Sequence, residues 1–420
     1  MARELFLEQP QSAAGDQRNP FGSAIFPTRA RHEAIDAVRG SVMVIMALDH
    51  VRDFVHTGAM TFQPEDLAQT TPILFLTRWV THVCAPAFVL LAGIAANRRL
   101  QRDGSAPTLS VFLATRGLWL IIVELTLIRF ALNFRYGPAD PWLLLVLCAL
   151  GLSMMVLALL VRLPTAVLGA VGVAVLLLHN TLDNIRAADL EALGPLWMLL
   201  HQQGMFVVAG QVVLVAYPML PWAGLLAVGF AAGGLFDLPA GRRARVLAFA
   251  GSLLILSFLA LRWWNGYGDP QPWSAQATPL MTALSFLRTT KYPPSLAFLL
   301  MTVGPTLLAL AWFEHRTPGP RHPLVVIGRV PLFYYVIHFF VAHIVASCLI
   351  WWKYEDFSLA FLSGPFPSMG GPRAAFPPDF GWPLWVVYAV WGAVVLLMYP
   401  ACRWFAGLKA ERRWRWLAYA

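Results

Sequence analysis

The stretch Ala34–His56, AIDAVRGSVMVIMALDHVRDFVH, decides the fold. Its middle, GSVMVIMAL, is apolar enough for hydrocarbon, and the whole is long enough to cross it, since about 20 helical residues span a bilayer core. Yet it also holds Asp36, Arg39, Asp49, His50, Arg52, Asp53 and His56. Ionisable groups in lipid cost free energy, so a span that carries them must turn them toward protein or water. The spacing says how. Asp36, Arg39, Met43, Met46, His50 and Asp53 recur every three or four residues and share one helical face. From Asp36 to Asp53 that face runs ~26 Å, nearly the hydrocarbon thickness. It reads as the lining of an interior path with two polar ends and a methionine middle. Asp49, Arg52 and His56 fall on the other side and are expected to pair with neighbouring helices or interfacial water.

The rest of the chain agrees with a span. Of 420 residues, 58% are hydrophobic and 13% charged, which no soluble domain can bury. Mean hydropathy is +0.61. The apolar runs do not alternate, so a membrane barrel is excluded and an all-α polytopic membrane protein is expected. Ten spans are placed near 34–56, 72–96, 108–132, 141–161, 164–181, 218–236, 246–264, 293–313, 323–351 and 382–404. The segment 197–215, WMLLHQQGMFVVAGQVVLV, is too polar for a lipid-facing helix and is read as a re-entrant or interfacial piece buried against protein. Residues 1–30 form a polar cytoplasmic lead-in with no signal-peptide core. Residues 31–406 form the membrane domain, and 407–420 a basic tail.

Charge sets the orientation. With the N-terminus inside, the inner loops receive Arg29, Arg31, Arg98, Arg99, Arg102, Arg162, Arg242, Arg243, Arg245, Arg316 and Arg321. The tail adds Lys409, Arg412, Arg413 and Arg415. The outer loops hold Glu65, Asp66, Asp183, Asp189, Glu191, Asp269, Glu355, Asp356 and Asp379. This asymmetry predicts N-in and C-in. The net charge of +9 is therefore read as topology control and anionic-lipid contact, not nucleic-acid binding. Cys84, Cys148, Cys348 and Cys402 all lie in apolar runs without CxxC spacing, so neither disulfides nor a zinc site are expected. Two outer loops, about 265–292 and 353–381, are long and rich in Trp, Pro and Gly. They read either as lids or as an aromatic belt.

Chemistry-bearing residues cluster in four places. His50, flanked by Asp49 and Asp53, is a candidate general base that those carboxylates could orient. His82 is a second candidate, one turn after Arg78 and just before Cys84, which reads as a buried small hydrophobe. Asp36 and Arg39 read as a boundary salt bridge or the mouth of the path. Arg98, Arg99 and Arg102 read as anchors or anion ligands, and Arg329 joins them on the same side. Farther along, FLRTTKYPPS places Arg288, Lys291 and Tyr292 just outside the eighth span, a candidate anion or sugar contact. In the ninth span Tyr334, Tyr335 and His338 lie at helical spacing, so His338 can face a tyrosine. Glu124 and Arg129, inside the third span, read as a structural pair or part of a polar cavity.

The motifs IDAVRGSVMVIMALDHVRD, RWVTHVCAPAFVLLAG, YPMLPWAGLLAVGFAAG, FLRTTKYPPSLAFLLMTVGP and GRVPLFYYVIHFFVAH, in this order, resemble the bacterial family related to heparan-α-glucosaminide N-acetyltransferase. That family belongs to a broader transmembrane acyltransferase superfamily, and the resemblance runs from about Arg31 to the last helix. It implies an acetyl-CoA or other acyl-CoA donor on the cytoplasmic face and a sugar or glycan acceptor, through an amine or hydroxyl, on the other. Asp36, Arg39, Arg98, Arg99, Arg102 and Arg329 would then serve the donor. His50, His82, Asp49 and Asp53 would serve catalysis, and Arg78, Arg288, Lys291, Tyr292, Tyr335 and His338 the acceptor. Arg78, Tyr335 or a backbone donor would hold the oxyanion. No metal is implied. The lysosomal enzyme carries its key histidine in the loop between the first two helices. Here that loop, TGAMTFQPEDLAQTTP, has none, and an asparagine aligns with His50. Direct transfer is therefore expected rather than an acetyl-enzyme.

The expected setting is a bacterial inner membrane, with a homodimer left open. The rival reading is a transporter or glycan flippase that uses the charged helix as a relay. The lack of an internal repeat speaks against it. A scaffold subunit would not need so many intramembrane histidines.

Overall fold

Ala34–His56 does form one uninterrupted helix. It holds no proline and a single glycine, and α1 runs Glu33–Val55. In this computed structural model, which describes residues 32–137, 140–356 and 373–411, α1 is the central helix. The lead-in 1–30, most of the second long outer loop and the tail beyond Glu411 lie outside the described residues.

The chain next forms α2 (Pro72–Thr81) and α3 (Cys84–Asp103). The break at His82 and Val83 lies just ahead of Pro86, which α3 takes up in its first turn, where the missing N–H does no harm. Helix α4 (Ala106–Val123) continues through a π-helical turn, Glu124–Ile128, into α5 (Arg129–Asn133). Then come α6 (Val146–Leu160), α7 (Thr165–Leu178), α8 (Gly194–Leu200), α9 (Leu220–Ala232) and α10 (Ala240–Trp264). Helices α11 (Pro279–Leu287), α12 (Leu296–His315), α13 (Pro323–Gly328), α14 (Pro331–Tyr354) and α15 (Leu384–Glu411) complete the described chain.

Each of the ten expected spans corresponds to helix. Among the described residues, eight helical runs are long and apolar enough to cross a membrane. The other two expected spans are α1, which carries too much charge to qualify on composition, and α6, whose 15 residues reach about 22 Å. The protein is thus a helical, multi-pass membrane protein.

Two details depart from expectation. The ninth span, read as continuous over 323–351, is two helices with a break at Arg329 and Val330, because Pro331 cannot continue α13 and instead starts α14. The segment 197–215 is neither a helix throughout nor fully buried. Only its first residues belong to α8. The remainder is a hairpin of β2 (Gly204–Val208) and β3 (Gln211–Val215). Strand β3 also pairs in parallel with β1 (Trp142–Leu144), in register Trp142↔Val213, giving the sheet order β1-β3-β2. Its valine-rich, β-branched sequence suits a strand better than a helix, with Met205, Val207 and Val208 exposed on β2.

α1 packs against α2, α3, α12, α13, α14 and α15. Its contact with α13 is backbone to backbone. A methyl group added at Gly40 would overlap the Leu324 carbonyl, and one at Gly328 would overlap the Asp36 carbonyl. Only glycine permits this approach, and it carries Arg329, the next residue, to the first turns of α1.

Glu124 and Arg129 each find their own structural partner. The Glu124 carboxylate accepts from the backbone N–H groups of Leu145, Leu147 and Cys148 at 3.0, 3.2 and 2.7 Å. It thereby caps the N-terminus of α6, where donors have no intrahelical acceptor. Arg129 donates to the Asp140 carbonyl and lies over the Trp142 ring. The four cysteines are free.

Candidate functional site

The charged face of α1 lines a cavity of about 1110 Å³. The lining begins with Asp36 and Arg39, passes Met43 and Met46, and ends with Asp49, His50, Arg52 and Asp53. The path read from the spacing is therefore present, but wider than expected. Asp49 and Arg52, assigned to the opposite side, also line it. On the last two turns of α1 the polar residues fan across two faces, and α2 brings Arg78 close enough to engage Asp49.

The Asp36 end is cationic. Arg39 donates to the Leu91 carbonyl of α3 at 3.0 Å and lies 3.6 Å from the Asp36 carboxylate. Arg329 approaches the same carboxylate at 3.9 Å. Farther along α3, Arg99 and Arg102 line the cavity and both meet Asp103, at 3.1 and 2.8 Å. Arg99 also lies over the Phe112 ring. Arg116 and Lys409 complete the lining, and neither was anticipated. Arg116 is an intramembrane charge in the third span, which it shares with Glu124 and Arg129, and it carries the same kind of signal as the charges of α1. Lys409 read as an ordinary tail anchor, and only the course of α15 brings it here. Arg98 is not part of the wall: it is drawn away to Asp237 and Gln101.

Between the ends the walls are apolar, with Ala85, Phe88, Val89, Ala92, Leu113, Leu120, Leu147 and Leu332 among them. Cys84 also lines this stretch, its thiol donating to the Val42 carbonyl.

The far end is a knot of charge. Asp49 binds Arg78 and, at 3.1 Å, Arg52. Asp53 binds Arg52 at 2.6 Å. Arg78 also donates from Nε to Glu65 at 2.8 Å, and the same carboxylate oxygen meets His82 Nε2 at 3.1 Å. Glu65 lies in the loop after α1. Burial alone would raise its carboxyl, but the Arg78 guanidinium and the His82 ring outweigh burial and hold it well below the usual range. The loop after α11 supplies Arg288, Lys291 and Tyr292, all lining the cavity. Lys291 is 9% exposed and has no carboxylate partner among the described residues. Its ammonium lies over the Tyr217 and Tyr292 rings. Tyr217 O–H stands 3.3 Å from the Tyr292 oxygen. Burial raises the Tyr292 phenol, yet Lys291 and Arg78 bring it below its ordinary value.

The histidines sort themselves. His50 lines the cavity, stacked on Phe339 with ring centroids 4.2 Å apart. Its hydrogen-bond partner is His338, with Nδ1 2.6 Å from Nε2. The orienting group is thus a second imidazole rather than Asp49 or Asp53, which the arginines engage. His338 is wholly buried behind His50 and does not line the cavity, so it is not placed as a substrate contact. Tyr335, one turn away, does line it. His82 is buried at the break between α2 and α3, turned toward Glu65 and Phe298, and it too is off the wall. Glu65 and Tyr217 belong to the site as well, but the sequence marks Glu65 only as one of several outer-loop acids and Tyr217 only as the first residue of the motif YPMLPWAGLLAVGFAAG.

The arrangement joins an anion-binding end, an apolar throat and a far end with one imidazole, three phenols and an ammonium that has no carboxylate partner among the described residues. Comparison with known proteins bears on its identity. The family model described as "Heparan-alpha-glucosaminide N-acetyltransferase, catalytic" matches residues 31–262, more than half of the chain. A search of curated proteins finds no match. The matched segment carries all of α1, α2 and α3 and ends within α10, so Arg288, Lys291, Arg329 and Tyr335 complete the cavity from beyond it. On that match the chain belongs to the heparan-alpha-glucosaminide N-acetyltransferase catalytic family, a family of membrane acetyltransferases.

Proposed function

We propose that the protein transfers an acetyl or other acyl group from acyl-CoA, held at the arginine end of the cavity, to an amine or hydroxyl of a sugar or envelope glycan at the His50 end. The observation that carries this reading is the single cavity lined from Arg39 and Arg329 to His50. A CoA-type donor is long and asymmetric, with phosphates at one end and a thioester at the other. Arg39, Arg99, Arg102, Arg116, Arg329 and Lys409 suit the phosphates. The apolar throat suits the slender arm between.

At the far end His50 takes the proton of the acceptor as the acceptor attacks the thioester carbonyl. The charge that develops on the carbonyl oxygen needs a donor. Arg78 is already engaged by two carboxylates, so Lys291 and the Tyr335 hydroxyl are the better candidates for this role. The proton held by His50 is then available to the departing thiol. Direct transfer is the preferred route, since the Cys84 thiol donates to the Val42 backbone carbonyl. The positive charge gathered at the arginine end supports placing that end at the cytoplasmic side of a bacterial inner membrane.

The test is turnover with acetyl-CoA and amino-sugar acceptors in detergent or nanodiscs. His50→Ala is expected to fold, to bind acetyl-CoA with unchanged affinity, and to lose at least ~10²-fold in kcat. Unchanged turnover in that variant would remove His50 from the mechanism. Proton-coupled flux in liposomes without acyl-CoA affinity would favour the transporter reading instead.

A further inference from the structure

His338 does not line the cavity, lies outside the segment matched by the family model, and has no exposed surface. A buried imidazole is usually a satisfied core residue. Here, however, its hydrogen bonds fix the protons of a neighbour. His338 Nδ1 stands 3.0 Å from the Tyr334 carbonyl, one turn back on α14. A carbonyl only accepts, so this nitrogen carries the hydrogen. Neutral His338 then presents a bare lone pair at Nε2. His50 Nδ1, 2.6 Å from that lone pair, must be the donor. In neutral His50 the hydrogen is therefore on Nδ1, and Nε2 carries none. That nitrogen has no protein partner among the described residues.

The opposite assignment requires a doubly protonated His338. Such a cation would be fully buried among Tyr334, Tyr335 and Phe339 with no carboxylate bonded to it among the described residues. Burying a charge without a counter-charge is strongly disfavoured. Asp49 and Asp53, the nearest acids on α1, are engaged by Arg52 and Arg78. The neutral chain is the favoured one.

We infer that His338 is a positioning residue. It holds His50 in the Nδ1–H tautomer, so that the Nε2 lone pair is the one offered to the acceptor. This rests on the reading of His50 as the base. The arrangement parallels the role of the carboxylate in a hydrolase triad, which orients an imidazole and selects its tautomer. A neutral imidazole does so without placing a negative charge in the membrane interior. Phe339 stacks on the His50 ring, with centroids 4.2 Å apart, and restrains it.

The inference is tested with two substitutions and one spectrum. His338→Leu removes the acceptor. It should lower kcat by ~10²-fold or more while leaving acetyl-CoA affinity unchanged. His338→Gln restores both functions, because one amide oxygen can accept from His50 while its nitrogen donates to Tyr334. It should recover kcat to within roughly tenfold of wild type. The ¹⁵N shifts of labelled His50 report the tautomer without turnover: Nδ1–H in wild type and His338→Gln, a mixture in His338→Leu. Wild-type kcat in His338→Leu overturns the inference. So does an unchanged His50 spectrum, or a folded His338→Gln as inactive as the leucine variant. If His50→Ala retains activity, the catalytic reading beneath falls, and the His50 spectrum alone then decides whether His338 sets the tautomer.

Discussion

His50 and Asp49 are neighbours in sequence with opposite fates. Asp49 is bound by Arg78 and Arg52, so the charge pairs of the far end are closed among themselves. His50 is left to a neutral partner and to the cavity. Glu65 shows what the closed pairs contribute. Its carboxyl is held below the usual range by Arg78 and His82. A group whose folded value is depressed stabilises the fold above its unfolded value of about 4.3, and that stability is lost as pH falls through the folded value. Wild-type protein should therefore lose melting temperature progressively below about pH 4, and Glu65→Gln should show a smaller loss over the same range. Parallel acid-melting curves for the two proteins would show that Glu65 is not held by charge.

At the scale of elements, the membrane interior penalises any backbone group left without a partner. Helix α6 begins inside the protein, preceded by the strand β1, and its first amides find their acceptor in Glu124 on the neighbouring helical run. Glu124→Leu should destabilise the protein by about 1–3 kcal/mol for each amide left orphaned. Glu124→Gln, which keeps an acceptor oxygen, should cost less. Thermal melting in detergent checks the order. An undisturbed melting temperature in the leucine variant would mean that α6 needs no cap. The glycine contact between α1 and α13 acts at the same scale: it sets where Arg329 stands, and through it one wall of the arginine end.

Across the whole molecule, charge is segregated along a single cavity. Six cationic side chains line one end, drawn from α1, α3, α4, α15 and the break between α13 and α14. A phosphate-bearing donor bound there should weaken as salt screens the attraction, over a Debye length of about 10 Å at 0.1 M. Arg116→Gln should lower acetyl-CoA affinity at low salt and flatten its salt dependence. Titration calorimetry across a salt series gives the slope, and an affinity indifferent to salt in wild type would rule out phosphate recognition at this end.

Composition and hydropathy sufficed for the architecture, because lipid leaves helices as the only solution for long non-alternating apolar runs. The three-to-four-residue spacing of Asp36, Arg39, Met43, Met46, His50 and Asp53 sufficed for the path, because a helix face is a local property. The family was legible from motif order. Partnership was not. That His50 meets His338, 288 residues away, that Asp49 belongs to Arg78, and that Arg116 and Lys409 stand at the arginine end all depend on how helices rotate and cross. Short-range spacing holds no information about rotation between distant helices, which is settled by close packing such as that at Gly40 and Gly328. The small sheet was hidden for a related reason. A hairpin of apolar residues and a short buried helix look alike in hydropathy, and the pairing of β1 with β3 exists only once the bundle has brought them together.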